Sequence, residues 1–163
     1  MIGSATYNVF VEQAKYAIVI AKSSLIRGRK IAAGTLYKSL DYDVNKKTGQ
    51  TQFFYAPEGE FVESGRKKGA RFPPPGAISK WASIKGIPRF RDKKGRYISN
   101  DSRTFLLSRS IVKKGIMPFP FYTDAIKKAE LEFTNDLEDA IVEDMENTID
   151  QSLAGSLSTH MNF

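Results

Sequence analysis

The hydrophobic positions of the first 27 residues recur at helical steps. Tyr7, Phe10, Val11, Ala14, Ala17, Ile18, Ala21 and Leu25 share one stripe, with Asn8, Glu12, Lys15 and Lys22 elsewhere on the wheel, which predicts an amphipathic helix over Thr6–Arg27. Arg27, Arg29 and Lys30 around Gly28 are expected as a solvated exit from the helix or as part of the basic face. From Thr35 the period changes: Leu36, Tyr37, Leu40, Tyr42 and Val44 precede the polar turn NKKTG, and Thr51–Tyr55 follows it, the pattern of an antiparallel hairpin. Thr35–Leu40 reads equally as a helical turn. Pro57 and Gly59 end the second arm, and Phe61-Val62-Glu63 is expected as a brief third strand.

One local design then appears twice. A short apolar helix carries Ile78, Trp81, Ala82 and Ile84, and a second carries Phe105, Leu106, Ile111 and Val112 as its buried side, with Asp101 or Ser102 as cap. Pro73, Pro74 and Pro75 stiffen the approach to the first, and Trp81 is expected as a core anchor. Each ends in Lys-Gly-Ile with proline close behind, so Gly86 and Gly115 are read as helix stops, and Pro88 and Pro118 keep the helix from resuming. The last helix runs from Thr123 to about Leu153, with Ile126, Ala129, Phe133, Leu137, Ile141, Met145, Ile149 and Leu153 mostly four residues apart. Such a stripe exceeds what a small sheet covers. Its distal part, Ile141, Met145, Ile149 and Leu153, packs on another subunit, or else the whole helix lies along the first one. The elements make an α+β fold: a small antiparallel β-sheet, a hairpin, packed against long N- and C-terminal helices, with two short helices between. Residues 1–154 are expected as a single domain and 155–163 as a flexible tail.

Composition fits this picture: 163 residues, 41% hydrophobic and 26% charged, suit one soluble domain with a real core. The chain has no cysteine and one histidine, His160, so thiolate zinc sites and the common catalytic triads lack parts. No apolar run is long enough to span a bilayer, and Glu12 and Lys15 within the first apolar stretch argue against a signal peptide. Charge changes the picture more. Residues 1–122 hold 23 Lys and Arg against 8 Asp and Glu, whereas residues 123–163 hold 2 against 10. A basic body with an acidic arm points to phosphate polymers, or to contacts in which one copy's arm meets the next copy's body.

The basic residues concentrate between Arg66 and Arg96. Arg66, Lys67, Lys68 and Arg71 precede the prolines; Arg89, Arg91, Lys93, Lys94 and Arg96 occupy the loop between the short helices, with Phe72, Phe90 and Tyr97 interspersed. These are the candidate contacts to DNA or to a neighbouring subunit, since positive charge neutralises phosphate without base-reading motifs. Asp41 and Asp43 share a strand face, and a metal-dependent nuclease would need them to converge with Glu63; a solvated face is the simpler account.

The spacing Glu63-x-Gly65-Arg66, Pro73-Pro74 before Ile78-x-x-Trp81, Lys85-Gly86-Ile87, Ser108-Arg109-Ser110-Ile111, then Lys114-Gly115-Ile116-x-Pro118-x-Pro120-Phe121-x-x-x-Ala125 resembles the head-tail joining or tail-completion proteins of tailed bacteriophages. The likeness covers about residues 55–130 and rests on Gly, Pro and Trp positions. It implies a small α+β subunit of the virion neck, a ring that is typically a hexamer, adjacent connector and tail proteins as partners, and no reaction. The charge split adds non-specific contact with genomic DNA as an expectation, and neither a cofactor nor a membrane is expected. The acidic last helix and the basic loop depart from the family pattern.

Overall fold

A computed structural model describes residues 2–160. Among them the chain forms an α+β fold, mostly helical, with seven helices, one two-stranded antiparallel hairpin and long helices towards both ends. It divides into two compact units. Unit one comprises the chain through Ala21, Asp41–Phe54 and everything from Tyr122; unit two comprises Lys22–Leu40 and Tyr55–Phe121. The single domain expected over 1–154 is therefore described as two parts.

Unit one contains most of α1 (Ser4–Arg27), the hairpin β1 (Asp41–Val44) and β2 (Thr51–Phe54), α6 (Thr123–Glu132) and α7 (Thr134–His160). Helix α1 has no glycine or proline inside it, and its buried positions here are Thr6, Ala14, Ala17, Ile18 and Ala21. Ala125, Ala129 and Ala140 are the buried positions of α6 and α7. Small buried side chains suit close helix packing, and Tyr16 seats against Phe133 with ring centroids 5.7 Å apart. The hairpin pairs Asp41 with Phe54 and Val44 with Thr51, and Phe53 meets Tyr122 edge-on at 5.4 Å. Gly49, at φ +73, turns the loop, where the Asn45 side chain accepts from the Lys47 and Thr48 N–H groups.

The N-terminus of α1 is closed from a distance. Asp144 on α7 accepts from the Ala5 N–H at 3.1 Å and the Thr6 N–H at 2.9 Å, so a carboxylate satisfies two otherwise orphaned donors at the positive end of a helix. Hydrogen bonding from the Thr6 side chain, then from the Thr6 and Ala5 backbone, holds Asp144 below its ordinary value of 3.8. A depressed carboxyl contributes stability that is present above that ordinary value and lost as pH falls through the lower native one. Asp144→Asn is thus expected to remove an acid-induced loss of helix signal below about pH 4, followed by circular dichroism across an acid titration.

One long helix from Thr123 was the expectation; the structure breaks it at Phe133, the C-cap of α6. The Thr134 hydroxyl donates to the Glu130 carbonyl at 2.8 Å, and such back-bonding competes with the backbone ladder and bends helices. Of the tail expected over 155–163, the backbone as far as His160 continues α7, and 161–163 lie outside the described residues.

Unit two holds the end of α1, α2 (Thr35–Ser39), α3 (Glu58–Glu63), α4 (Pro75–Ile84) and α5 (Asn100–Lys114). Its core gathers Leu25, Leu36, Leu40, Ala82 and Phe121, with Tyr55 on Phe121 at 6.2 Å. Thr35–Ser39 is the helical turn. The third strand expected at Phe61-Val62-Glu63 is instead the end of α3, because Pro57 at its cap has a helical φ and Glu58 and Glu60 occupy the favourable first turn. The cap of α5 is Ser99, not Asp101 or Ser102; its hydroxyl accepts from the Ser102 N–H at 3.2 Å. Ser99→Ala should therefore cost about 1 kcal/mol, measured as a shift in the urea midpoint.

The two Lys-Gly-Ile stops differ in kind. At Gly86, φ +63, the Gly86 N–H bonds to the Ser83 carbonyl and the Ile87 N–H to the Ala82 carbonyl, the paired closure of a Schellman motif. Gly115 instead serves a backbone crossing. The Arg66 N–H bonds to the Ile116 carbonyl at 2.8 Å and the Ile116 N–H to the Arg66 carbonyl at 2.9 Å, while the Gly69 N–H reaches the Val112 carbonyl at 2.8 Å. Residues 65–69 thus lie across the end of α5.

Candidate interaction surfaces

Helix α5 is turned against its sequence pattern. Thr104 and Ser108 are buried, as is Arg103 at 8% exposure, whereas Phe105 is 55% exposed and Leu106 43%. On α4, Trp81, expected in the core, is 38% exposed and Ile84 is 43% exposed; the buried position is Ala82. The reason is tertiary. α4 and α5 pack on each other, and Thr104 and Ser108 line the groove that residues 66–75 form beside α5.

Beside α5 the strap 66–75 forms a groove of about 730 Å³. Its apolar wall is Phe72 stacked on Phe105, centroids 5.9 Å apart and planes 14° from parallel, with the three prolines, of which Pro73 is buried. The polar lining is Arg66, Arg71, Asp101, Thr104 and Ser108. Arg66 is half-buried: its guanidinium lies 6.0 Å from the Phe61 ring centroid, donates to the Arg71 carbonyl, and keeps a buried Nε with no hydrogen-bond partner. Such an atom is a cost in the wall, because a desolvated donor loses its water without replacement.

The basic loop is an ordered turn. The Arg91 and Tyr97 backbones pair, Asp92 accepts from the Lys94 and Arg96 N–H groups at 2.9 Å, and the Asp92 carboxylate pairs with Arg96 at 3.0 Å. The Arg96 backbone N–H, foremost, holds Asp92 below the usual carboxylate range. Arg91 is committed within the loop, donating to the Gly95 carbonyl and the Tyr97 hydroxyl and lying 4.2 Å from the Tyr97 ring. The side chains of Arg89, Lys93 and Lys94 are exposed and take no part in these contacts, and Lys67 and Lys68 on the strap are exposed too.

The structure therefore brings Arg66, Arg71 and Pro74 into one groove, and Gly65, Gly115 and Pro118 into one crossing, where a Cβ on Gly65 would stand 2.6 Å from the Pro118 nitrogen. Pro120 is exposed. Sequence reasoning missed Phe72, Phe105, Thr104 and Ser108 as groove residues; the four-residue step between Thr104 and Ser108 was the available sign of a polar face. Lys30 is likewise not simply solvated, since its ammonium lies 5.3 Å from the Phe119 ring.

On α7 the stripe divides. Leu137 is half-buried and Ala140 buried, but Ile141 is 39%, Met145 61%, Ile149 58% and Leu153 56% exposed, joined by Val142 at 54%. From Thr134 to Ala154 this helix bears seven Asp and Glu and no Lys or Arg. The two units have opposite charge: 20 Lys and Arg against 5 Asp and Glu in unit two, net +15, and 5 against 13 in unit one, net −8. Asp41 and Asp43 are exposed on β1, and among the described residues no group of three or more His, Cys, Asp or Glu is placed to hold a metal ion. No described helix is long and apolar enough to cross a membrane. No family model, curated protein or solved structure matches the chain.

Proposed function

We propose that this chain is a non-enzymatic structural subunit that self-associates into a ring at the head-tail junction of a tailed bacteriophage. The observation that carries the reading is the exposed apolar stripe of α7, set in an acidic helix on a chain whose other unit is strongly basic. Contiguous exposed apolar surface rimmed by charge is what an assembly contact requires. The location in the virion neck, with connector and tail proteins as neighbours and a hexamer as the implied ring, rests on the Gly, Pro and Trp spacing described above. Light scattering of the purified protein over a range of concentrations, with electron micrographs, tests the reading: closed rings support it, and a monomer at every concentration together with absence from purified virions overturns it.

The exposed Arg89, Lys93 and Lys94 favour a second reading, sequence-independent contact with DNA. Replacing all three by alanine is then expected to lower the slope of log affinity on log salt by roughly 2–3 for duplex DNA, about 0.9 per lost phosphate contact, with the particle mass unchanged. Equal slopes for the two proteins exclude it.

A further inference from the structure

We infer that the distal stripe of α7 in one copy docks into the groove between the strap 66–75 and α5 of another copy. This rests on the self-association proposed above and names its two faces. The basic loop spends Arg91 and Arg96 internally, whereas the groove is concave and apolar and carries Arg66 and Arg71 against one carboxylate, Asp101. What fits it is stated by complementarity. The occupant must bring apolar side chains to Phe72 and Phe105, and carboxylates to Arg66 and Arg71. Helix α7 presents Ile141, Met145 and Ile149 on one face over about 12 Å of helix, with the exposed Glu138 one turn before Ile141 on that face and Glu146 at its edge.

Pairing of α7 with α7 is the obvious competitor, and charge disfavours it. Two such helices would bring seven acidic groups against seven, with no Lys or Arg between Thr134 and Ala154 to offset them. Docking onto unit two sets −7 against +15 instead. A carboxylate brought to the groove adds negative potential at the Arg66 guanidinium, whose buried Nε lacks a partner. The contact joins different faces of the two copies, so repetition generates a ring when the rotation closes.

The chain has no cysteine, which makes the test direct. Met145→Cys chains are mixed with Phe105→Cys chains and treated with a short bifunctional maleimide, with Ile149→Cys and Arg71→Cys as a second pair to cover a shift in register. All four sites are exposed, and circular dichroism verifies folding. The expected result is a linked peptide joining α7 of one chain to the groove of the other in at least one pair. An oligomer yielding no such link in either pair, or only links between two α7 helices, overturns the docking and leaves self-association standing. A mixture that stays monomeric overturns both. Arg71→Glu is expected to weaken association by tenfold or more, on the order of a like-charge contact; unchanged association overturns the assignment of the groove.

Discussion

Replacing Met145 and Ile149 together by aspartate is expected to convert the assembled protein to a monomer while leaving its helical signal and melting temperature nearly unchanged. Both side chains are more than half exposed in the single chain, so the fold loses little when they become polar. The proposed assembly would bury them, and each would then contribute about 2 kcal/mol of transfer free energy. Losing both weakens association by roughly a thousandfold, at 1.4 kcal/mol per decade. Ala140→Asp, one turn earlier, supplies the contrast. Ala140 is 6% exposed, so a charge there should lower the melting temperature itself. Sedimentation velocity reads the mass and a thermal melt reads the fold. If the double variant sediments with the parent protein, the distal stripe is not an assembly contact.

The second large effect is on folding. Gly65→Ala and Gly115→Ala are each expected to lower stability by about 3 kcal/mol, combining a left-handed backbone with a forced backbone shift. Gly65 has φ +72, and a Cβ there would stand 2.5 Å from the Ile116 carbonyl oxygen; Gly115 has φ +74, and its Cβ would stand 2.5 Å from the Arg66 carbonyl oxygen. Both obstacles are main-chain atoms, which cannot swing aside as a side chain does. Gly69 separates the two contributions, because its φ is +77 and nothing lies within 4 Å of an added Cβ. Gly69→Ala should cost only the backbone part, about 1 kcal/mol. The melting temperature should fall by about 10 °C for the first two and about 3 °C for the third. Equal shifts for all three would mean that the crossing of 65–69 over the end of α5 is loose in solution.

The local features were readable and the distant ones were not. The stripe on α1, the hairpin around the NKKTG turn and the Gly86 stop each depend on residues within a few positions of one another, and each stands where periodicity and turn chemistry put it. The third strand failed for a nearby reason: Phe61-Val62 has strand-like side chains, but Pro57 and two glutamates start a helix first. Trp81, Phe105 and Leu106 failed for a remote one. Their apolar character says they should be covered, and only the tertiary packing decides that Ala82, Thr104 and Ser108 take the inside. The crossing of 65–69 over 112–116 has no strand signature, and its two glycines looked like ordinary punctuation. The last stripe could be recognised as a stripe, while the Thr134 bond that bends it and the exposure of its distal half belong to the folded chain.

The partition of the chain has a consequence for how it can be cut or recombined. The backbone passes from one unit to the other four times, after Ala21, Leu40, Phe54 and Phe121, and the first passage falls inside α1. No continuous gene fragment encodes either unit, so neither can be inherited, expressed or exchanged as a block. A truncation that removes the acidic residues from Asp136 onward also removes Asp144 from the start of α1, so the arm cannot be trimmed away without uncapping the first helix.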